Sequence, residues 1–232
     1  YERQIAGKDP DWVKVYVDAE YGYVREGKPV WAMYIDGLHC KEFDLLPRVP
    51  IAVGIDFGLT PAAALLQLTP SGQVRVFDEI VATDMGASRF AEILGPRLRS
   101  TWKDWPVLAI KGDPAGDSRA QSDETTPFQI LRKAEIMATP ASTNDPVRRI
   151  EAVSQALRRL VDGQPGFLIH PRCTVLRKAL LGGYCYKRLQ VSGAEQYKDV
   201  PDKNNYSHVA DALQYAFDAI GETRELVRDK PA

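Results

Sequence analysis

Three aspartates stand where a carboxylate needs a reason. Asp56 ends the apolar run Ile51-Ala52-Val53-Gly54-Ile55 and is surrounded by Gly54, Phe57 and Gly58. A charge inside a core strand is costly unless something neutralises it. Asp113 repeats the situation after Val107-Leu108-Ala109-Ile110, in Gly112-Asp113-Pro114-Ala115-Gly116. Asp211 falls on the last helical stretch, off the apolar stripe of Val209, Leu213, Ala216, Phe217 and Ile220, with His208 at i-3 and Tyr215 at i+4. Each has an ordinary alternative: a turn cap at Gly58 for Asp56, an Asp-Pro turn for Asp113, a solvated helix carboxylate for Asp211. If the two strands are neighbours and the helix packs over their ends, the three converge, and converging anions need cations. Oxygen ligands without His or Cys select hard ions, Mg2+ or Mn2+, over zinc. Two such ions about 4 Å apart can activate a water and stabilise the leaving oxygen of a phosphodiester, which is nuclease chemistry. No Ser or Cys nucleophile is required, and none of the three cysteines has a plausible base beside it.

The elements that must position these residues follow from the hydrophobic pattern. Ile51 to Asp56, Ala62 to Leu68 and Val74 to Ile80 predict three strands, with Thr69-Pro70-Ser71-Gly72 as hairpin chemistry, hence an antiparallel meander. A helix carrying Phe90, Ile93, Leu94 and Leu98 on one stripe follows, shortened or kinked at Pro96. Asp145-Pro146 starts a second helix whose stripe is Val147, Ile150, Val153, Leu157 and Val161, stopped by Gly163. Val107 to Ile110 and Phe167 to His170 are further strands. A short helix near 175 to 181, a hairpin near 184 to 198 and a last helix capped by Ser207 complete the chain. Strands first, then helices alternating with strands, predict an α/β fold: a mixed β-sheet flanked by helices on both faces, with sites at strand ends.

The 232 residues, 44% hydrophobic with a formal net charge of -1, exclude disordered and membrane-spanning classes. Cys40, Cys173 and Cys185 lack any CxxC or ligand spacing, so a reducing compartment is expected, with neither disulfide framework nor zinc site. The chain opens at Tyr1 with no Met and no export signal. Residues 1 to 48 are polar and aromatic, with short apolar stretches such as Val13 to Val17. They read as a lightly structured approach segment, with the main domain over 49 to 232.

The run Val53-Gly54-Ile55-Asp56-Phe57-Gly58, the strand end Gly112-Asp113-Pro114-Ala115-Gly116 and the tail Asn204-Asn205-Tyr206-Ser207-His208-Val209-Ala210-Asp211-Ala212-Leu213-Gln214-Tyr215 resemble the C-terminal nuclease domain of tailed-bacteriophage terminase large subunits. The similarity covers roughly residues 50 to 220. It implies a ribonuclease H-like fold in which Asp56, Asp113 and Asp211 are the catalytic acids and bind two Mg2+ or Mn2+ ions. It further implies an endonuclease that cuts concatemeric double-stranded viral DNA, with the portal protein and the small terminase subunit as partners of the full-length protein. The expected setting is the host cell cytoplasm, transiently at the procapsid portal. The ATPase half is expected elsewhere, because no GxxxxGK[ST] phosphate loop occurs here. An excised, monomeric nuclease domain preceded by part of its linker is therefore expected.

Residues 148 to 188 hold nine Lys and Arg against two acids, a stripe that could follow phosphates. For Arg148, Arg149, Arg158 and Arg159 a solvated helix face is an equal reading. Lys187 and Arg188 in the hairpin are the better DNA contacts, with Lys198 and Lys203 nearby. His208 and Asp202 are auxiliary candidates, for orienting a ligand or adding one. No base-reading motif is present, so little intrinsic sequence preference is expected. Relief of carboxylate repulsion predicts that Asp113→Asn or Asp211→Asn raises stability in metal-free buffer. Rival readings are an actin-like or sugar-kinase ATPase lobe, through Asp56-Phe57-Gly58-Leu59-Thr60, a Holliday-junction resolvase-like nuclease, and a non-catalytic DNA tether.

Overall fold

The computed structural model describes residues 27–58, 60–117, 125–189 and 196–228. The expected apolar stretch Val13 to Val17 and the tip of the hairpin near 190 to 195 lie outside them.

Six strands form the central sheet: β2 (Ile51–Asp56), β3 (Ala62–Leu68), β4 (Val74–Val81), β5 (Val107–Gly112), β6 (Ala138–Pro140) and β9 (Phe167–Ile169). Their order across the sheet is β6-β5-β2-β3-β4-β9. The meander β2-β3-β4 is antiparallel, as the hairpin residues predicted, whereas β5 joins β2, β6 joins β5 and β9 joins β4 in parallel. Every residue of β2 is buried, and β3 is buried up to its last residue. Such continuous apolar runs arise because both faces of the sheet are covered.

One face carries α4 (Pro146–Arg158) and the long α6 (Ser207–Arg228), packed over Ala52, Ala64, Leu66 and Val76. The other carries α2 (Ala87–Pro96) and α3 (Pro127–Lys133), packed over Val53, Ile55, Leu65 and Phe77. A separate small sheet joins β1 (Gly27–Pro29) to β10 (Cys185–Leu189) and β11 (Gln196–Tyr197). The short α1 (Asp36–His39), the β7–β8 hairpin (Leu160–Val161, Gln164–Pro165) and α5 (Thr174–Lys178) fill the connections.

Several expectations are corrected. Residues 27–48 are not a loose approach: Trp31 is 1% exposed and its Nε1 donates to the Ile150 carbonyl, while Cys40 bridges to Ile169 beyond the sheet edge. Gln67, buried in β3, donates to the Leu46 and Val49 carbonyls and accepts from Leu46 N, tying the approach to 50 onto the sheet. Helix α4 ends at Arg158 rather than running to Gly163. Arg159 turns extended, Val161 lies in β7, and Gly163, at φ +73°, forms the tight turn of β7–β8, a conformation that favours glycine. Val147 is exposed instead of joining the stripe. In α2, Phe90 and Leu94 face the core but Ile93 is exposed. As expected, α2 is shortened at Pro96: the α-helix ends there and a wider π-helical turn follows over Arg97–Thr101. Among the described residues, no helix is long and apolar enough to cross a membrane.

Candidate active site

The parallel register of β2 and β5 sets Ile55 against Gly112, and the ladder continues one step further, with Asp113 N donating to the Ile55 carbonyl at 3.1 Å. Asp56 and Asp113 are therefore side by side where two adjacent strands end. Along β2, Ala52 and Gly54 face α6, so alternation turns Asp56 to that same side. Helix α6 can lie directly on β2 because residue 54 is glycine: a Cβ there would run into the Ala212 carbonyl oxygen and the backbone of Ala216. That contact brings the first turns of α6 over the strand ends.

Each acid has its own protein partner. Asp56, 4% exposed, has Oδ2 2.7 Å from His208 Nδ1. Burial raises the Asp56 carboxyl above its ordinary range; the bond from His208 opposes this, and the nearby charge of Asp211 adds to it. His208 is in turn raised above the ordinary imidazole value, mainly by that bond. Asp113 is partly exposed and its Oδ1 accepts from Ala115 N at 2.9 Å, so the expected Asp-Pro turn is real and fixes the side chain. Asp211, 2% exposed, accepts from Lys203 Nζ at 2.6 Å on Oδ2, and from Gln214 Nε2 at 3.1 Å and Tyr184 OH at 3.3 Å on Oδ1. The solvated alternative for Asp211 fails because α6 is buried on nearly all sides over 207 to 220. The neighbouring Tyr215 hydroxyl is pushed up, first by burial, and feels Asp113, Asp211 and Asp56 together.

Among the described residues, no three or more His, Cys, Asp or Glu side chains are gathered tightly enough to grip an ion as they stand. The donor set nevertheless fits a hard divalent cation. It consists of carboxylate oxygens, and two of them are held by nitrogens of partly exposed side chains. Lys203 is 74% exposed and His208 30%, so either can give up its oxygen without opening the core.

The remaining sequence candidates are dispersed. Lys187 and Arg188 lie exposed on β10. Lys198 pairs with Asp202 at 3.4 Å. Lys203 is mostly exposed, but its ammonium is held by Asp211. The basic stripe over 148 to 188 is broken up: Arg158 pairs with Glu151, Arg177 with Asp36, Arg148 with Asp145, and Arg159 reaches the Gly72 carbonyl. Arg149 was missed. It is only 9% exposed, with its guanidinium carbon 4.6 Å from the Tyr215 ring centre and Nη1 3.6 Å from Asp211 Oδ1.

A mixed six-stranded sheet, helices on both faces and acids at strand ends define a ribonuclease H-like fold. Within that class the fold is that of the nuclease domain of large terminases. The large terminase from a thermophilic bacteriophage superposes with a TM-score of 0.60, covering 94% of this chain and 50% of its own, at 18% identity. The P22 large terminase nuclease domain gives 0.58 over 84% of this chain and 92% of that domain, at 13% identity. The HK97 bacteriophage large terminase gives 0.50 over 82% and 42%, at 10% identity. The chain thus spans about half the length of the thermophilic phage's protein. No protein-family profile matches the chain, and no curated protein matches it by sequence.

Proposed function

We propose that this chain is a metal-dependent endonuclease that cleaves concatemeric double-stranded viral DNA during genome packaging, with two Mg2+ or Mn2+ ions assisting phosphodiester hydrolysis. What carries the reading is the register that sets Asp56 beside Asp113 under the helix bearing Asp211, in a fold shared with terminase nuclease domains. Asp56, Asp113 and Asp211 would hold the ions. Bound there, hard divalent cations lower the pKa of an attacking water and offset charge on the leaving oxygen. The protein's own groups prepare the site. Ala115 N–H fixes Asp113, His208 Nδ1 lies 2.7 Å from Asp56 Oδ2, and the Gly54 contact lets α6 lie on the strand ends. Lys187 and Arg188 on the exposed hairpin would contact DNA phosphates.

The wider setting belongs to the same proposal. An ATPase half, the portal protein and the small terminase subunit would be partners of the full-length protein, acting in the host cytoplasm and at the procapsid portal, while the isolated domain is monomeric. The test is digestion of supercoiled plasmid by the purified chain with Mn2+, with Mg2+ and with EDTA, alongside Asp56→Ala. Cleavage that needs the metal and disappears in the folded variant supports the proposal. Equal digestion under chelation removes the metal, and equal digestion by the variant removes the site.

A further inference from the structure

The two oxygens of Asp211 live in different environments. Oδ1 receives Gln214 Nε2 and Tyr184 OH, both from buried side chains, and has Arg149 Nη1 3.6 Å away. Oδ2 receives Lys203, whose side chain is mostly in water. Arg149 itself is poorly explained by stability. Its Nε and Nη1 are buried without a hydrogen-bond partner among the described residues. Imperfectly bonded buried donors cost free energy, and buried ion pairs can often be replaced by apolar side chains at little loss. What its position does achieve is geometric: stacked on Tyr215, the guanidinium approaches Asp211 from the Oδ1 side.

Resting on the metal reading above, we propose that Arg149, with Tyr184 and Gln214, is a positioning clamp that fixes Oδ1 of Asp211 and presents Oδ2 for metal, while Lys203 is a displaceable stand-in cation on Oδ2. Arg149 contacts neither substrate nor ion; it acts through Asp211. Groups that orient a ligating side chain in this way typically change metal affinity by about 10- to 100-fold when removed. Lys203 has the opposite effect, because a metal ion must first displace it.

The test is Mn2+ binding to the intact chain, read from the loss of the free-ion electron paramagnetic resonance signal, with thermal melting alongside. Arg149→Met keeps the stem volume, leaves Asp211 with Lys203, Tyr184 and Gln214 as partners, and is expected to fold with a lowered melting temperature but bind Mn2+ about 10-fold or more weakly. Arg149→Lys, which keeps the charge, should recover part of that loss. Lys203→Met should bind Mn2+ several-fold more tightly than wild type. Wild-type affinity in Arg149→Met overturns the clamp, and so does a fold that collapses on that substitution, since the role would then be structural. Tyr184→Phe tests the clamp with Arg149 in place, and an unchanged affinity there also counts against it. Unchanged or weaker binding by Lys203→Met overturns the stand-in. If the wild type itself takes up no Mn2+, the metal reading fails first and the clamp falls with it.

Discussion

Gly54 of β2 and Ala212 of α6 lie in backbone contact, with the strand's Cα hydrogen facing the helix carbonyl where any side chain would intrude. The strand and the helix each carry one of the buried acids, two residues from Gly54 and one from Ala212, so this contact sets the distance across the site. The obstructing atoms are backbone atoms and cannot rotate away. Gly54→Ala is therefore expected to destabilise by about 3 kcal/mol, the upper part of the usual overpacking range, and to abolish cleavage even in the fraction that folds. Thermal melting and plasmid digestion of the variant check both statements. A variant that melts and cuts like the wild type would mean that α6 does not sit on β2 this closely.

The three acids should part company in stability. Asp211→Asn leaves the Arg149 guanidinium buried with no anion facing it, so a loss on the order of 3 kcal/mol is expected in metal-free buffer. This reverses the expectation drawn from carboxylate repulsion alone, because cations already neutralise Asp211. Asp113→Asn keeps an oxygen for Ala115 N–H and should melt near the wild type. Asp56→Asn removes a carboxylate whose ionised form burial disfavours, and should melt at or above the wild-type temperature. All three are expected to lose cleavage. The order of the melting temperatures, 56 highest and 211 lowest, is the measurement that decides.

The fold, and the burial of a carboxylate at Asp56, were legible in the sequence for the same reason: both rest on burial conflicting or agreeing with polarity. Ile51 to Asp56 is apolar until its last residue, and a charge at such a place demands an explanation whichever way the chain folds. The paired partners were not legible. Helical spacing places Arg149 with Val153, Ala156 and Leu157 on the buried side of α4, but nothing in the sequence says what it meets there, and it is α6 that brings Asp211 and Tyr215 to it. Lys203 looks like one more basic residue near DNA until α6 is in place. Residues 27 to 48 mislead for a similar reason. Trp31 and Cys40 meet α4 and β9, more than a hundred residues away, and Leu46 meets Gln67 of β3, so no local pattern records their burial. Gly163 was expected to stop α4; the helix ends at Arg158 instead, and Gly163 makes the turn of the β7–β8 hairpin.

The His208–Asp56 pair predicts a pH dependence in chelator. His208 has a folded pKa above its ordinary value of about 6.5, so its contribution to stability is complete below that pH and is lost as pH rises through the elevated folded value. Asp56 is raised as well, so its contribution has the same sign, present below the ordinary carboxylate range and lost as pH climbs through its own elevated value. The wild type in EDTA should therefore melt progressively lower as pH increases above about 6.5. His208→Gln should flatten the part of the curve above that pH. A wild-type curve that rises over that interval would contradict the pairing.

Lys187, Arg188, Lys198 and Lys203 looked alike as DNA contacts, and the structure separates them by where each ammonium or guanidinium stands. Lys198 is paired with Asp202, and Lys203 is committed to Asp211. Lys187 and Arg188 are exposed on β10, although Arg188 also has a partner within the protein. Each phosphate contact contributes about 0.9 to the slope of log affinity against log salt. The double variant Lys187→Ala plus Arg188→Ala is thus expected to lower that slope by about 1 to 2, Lys187 giving up a whole contact and the already partnered Arg188 less. Lys198→Ala should change it by less than one contact's worth, because that ammonium is already shared with a carboxylate and the Asp202 it leaves behind repels the backbone only weakly through water. Lys203→Met should leave the slope alone, since its ammonium serves a carboxylate. Fluorescence anisotropy of a labelled duplex in EDTA, titrated at several salt concentrations, reads all three slopes; a double variant with the wild-type slope would move the DNA path off the hairpin.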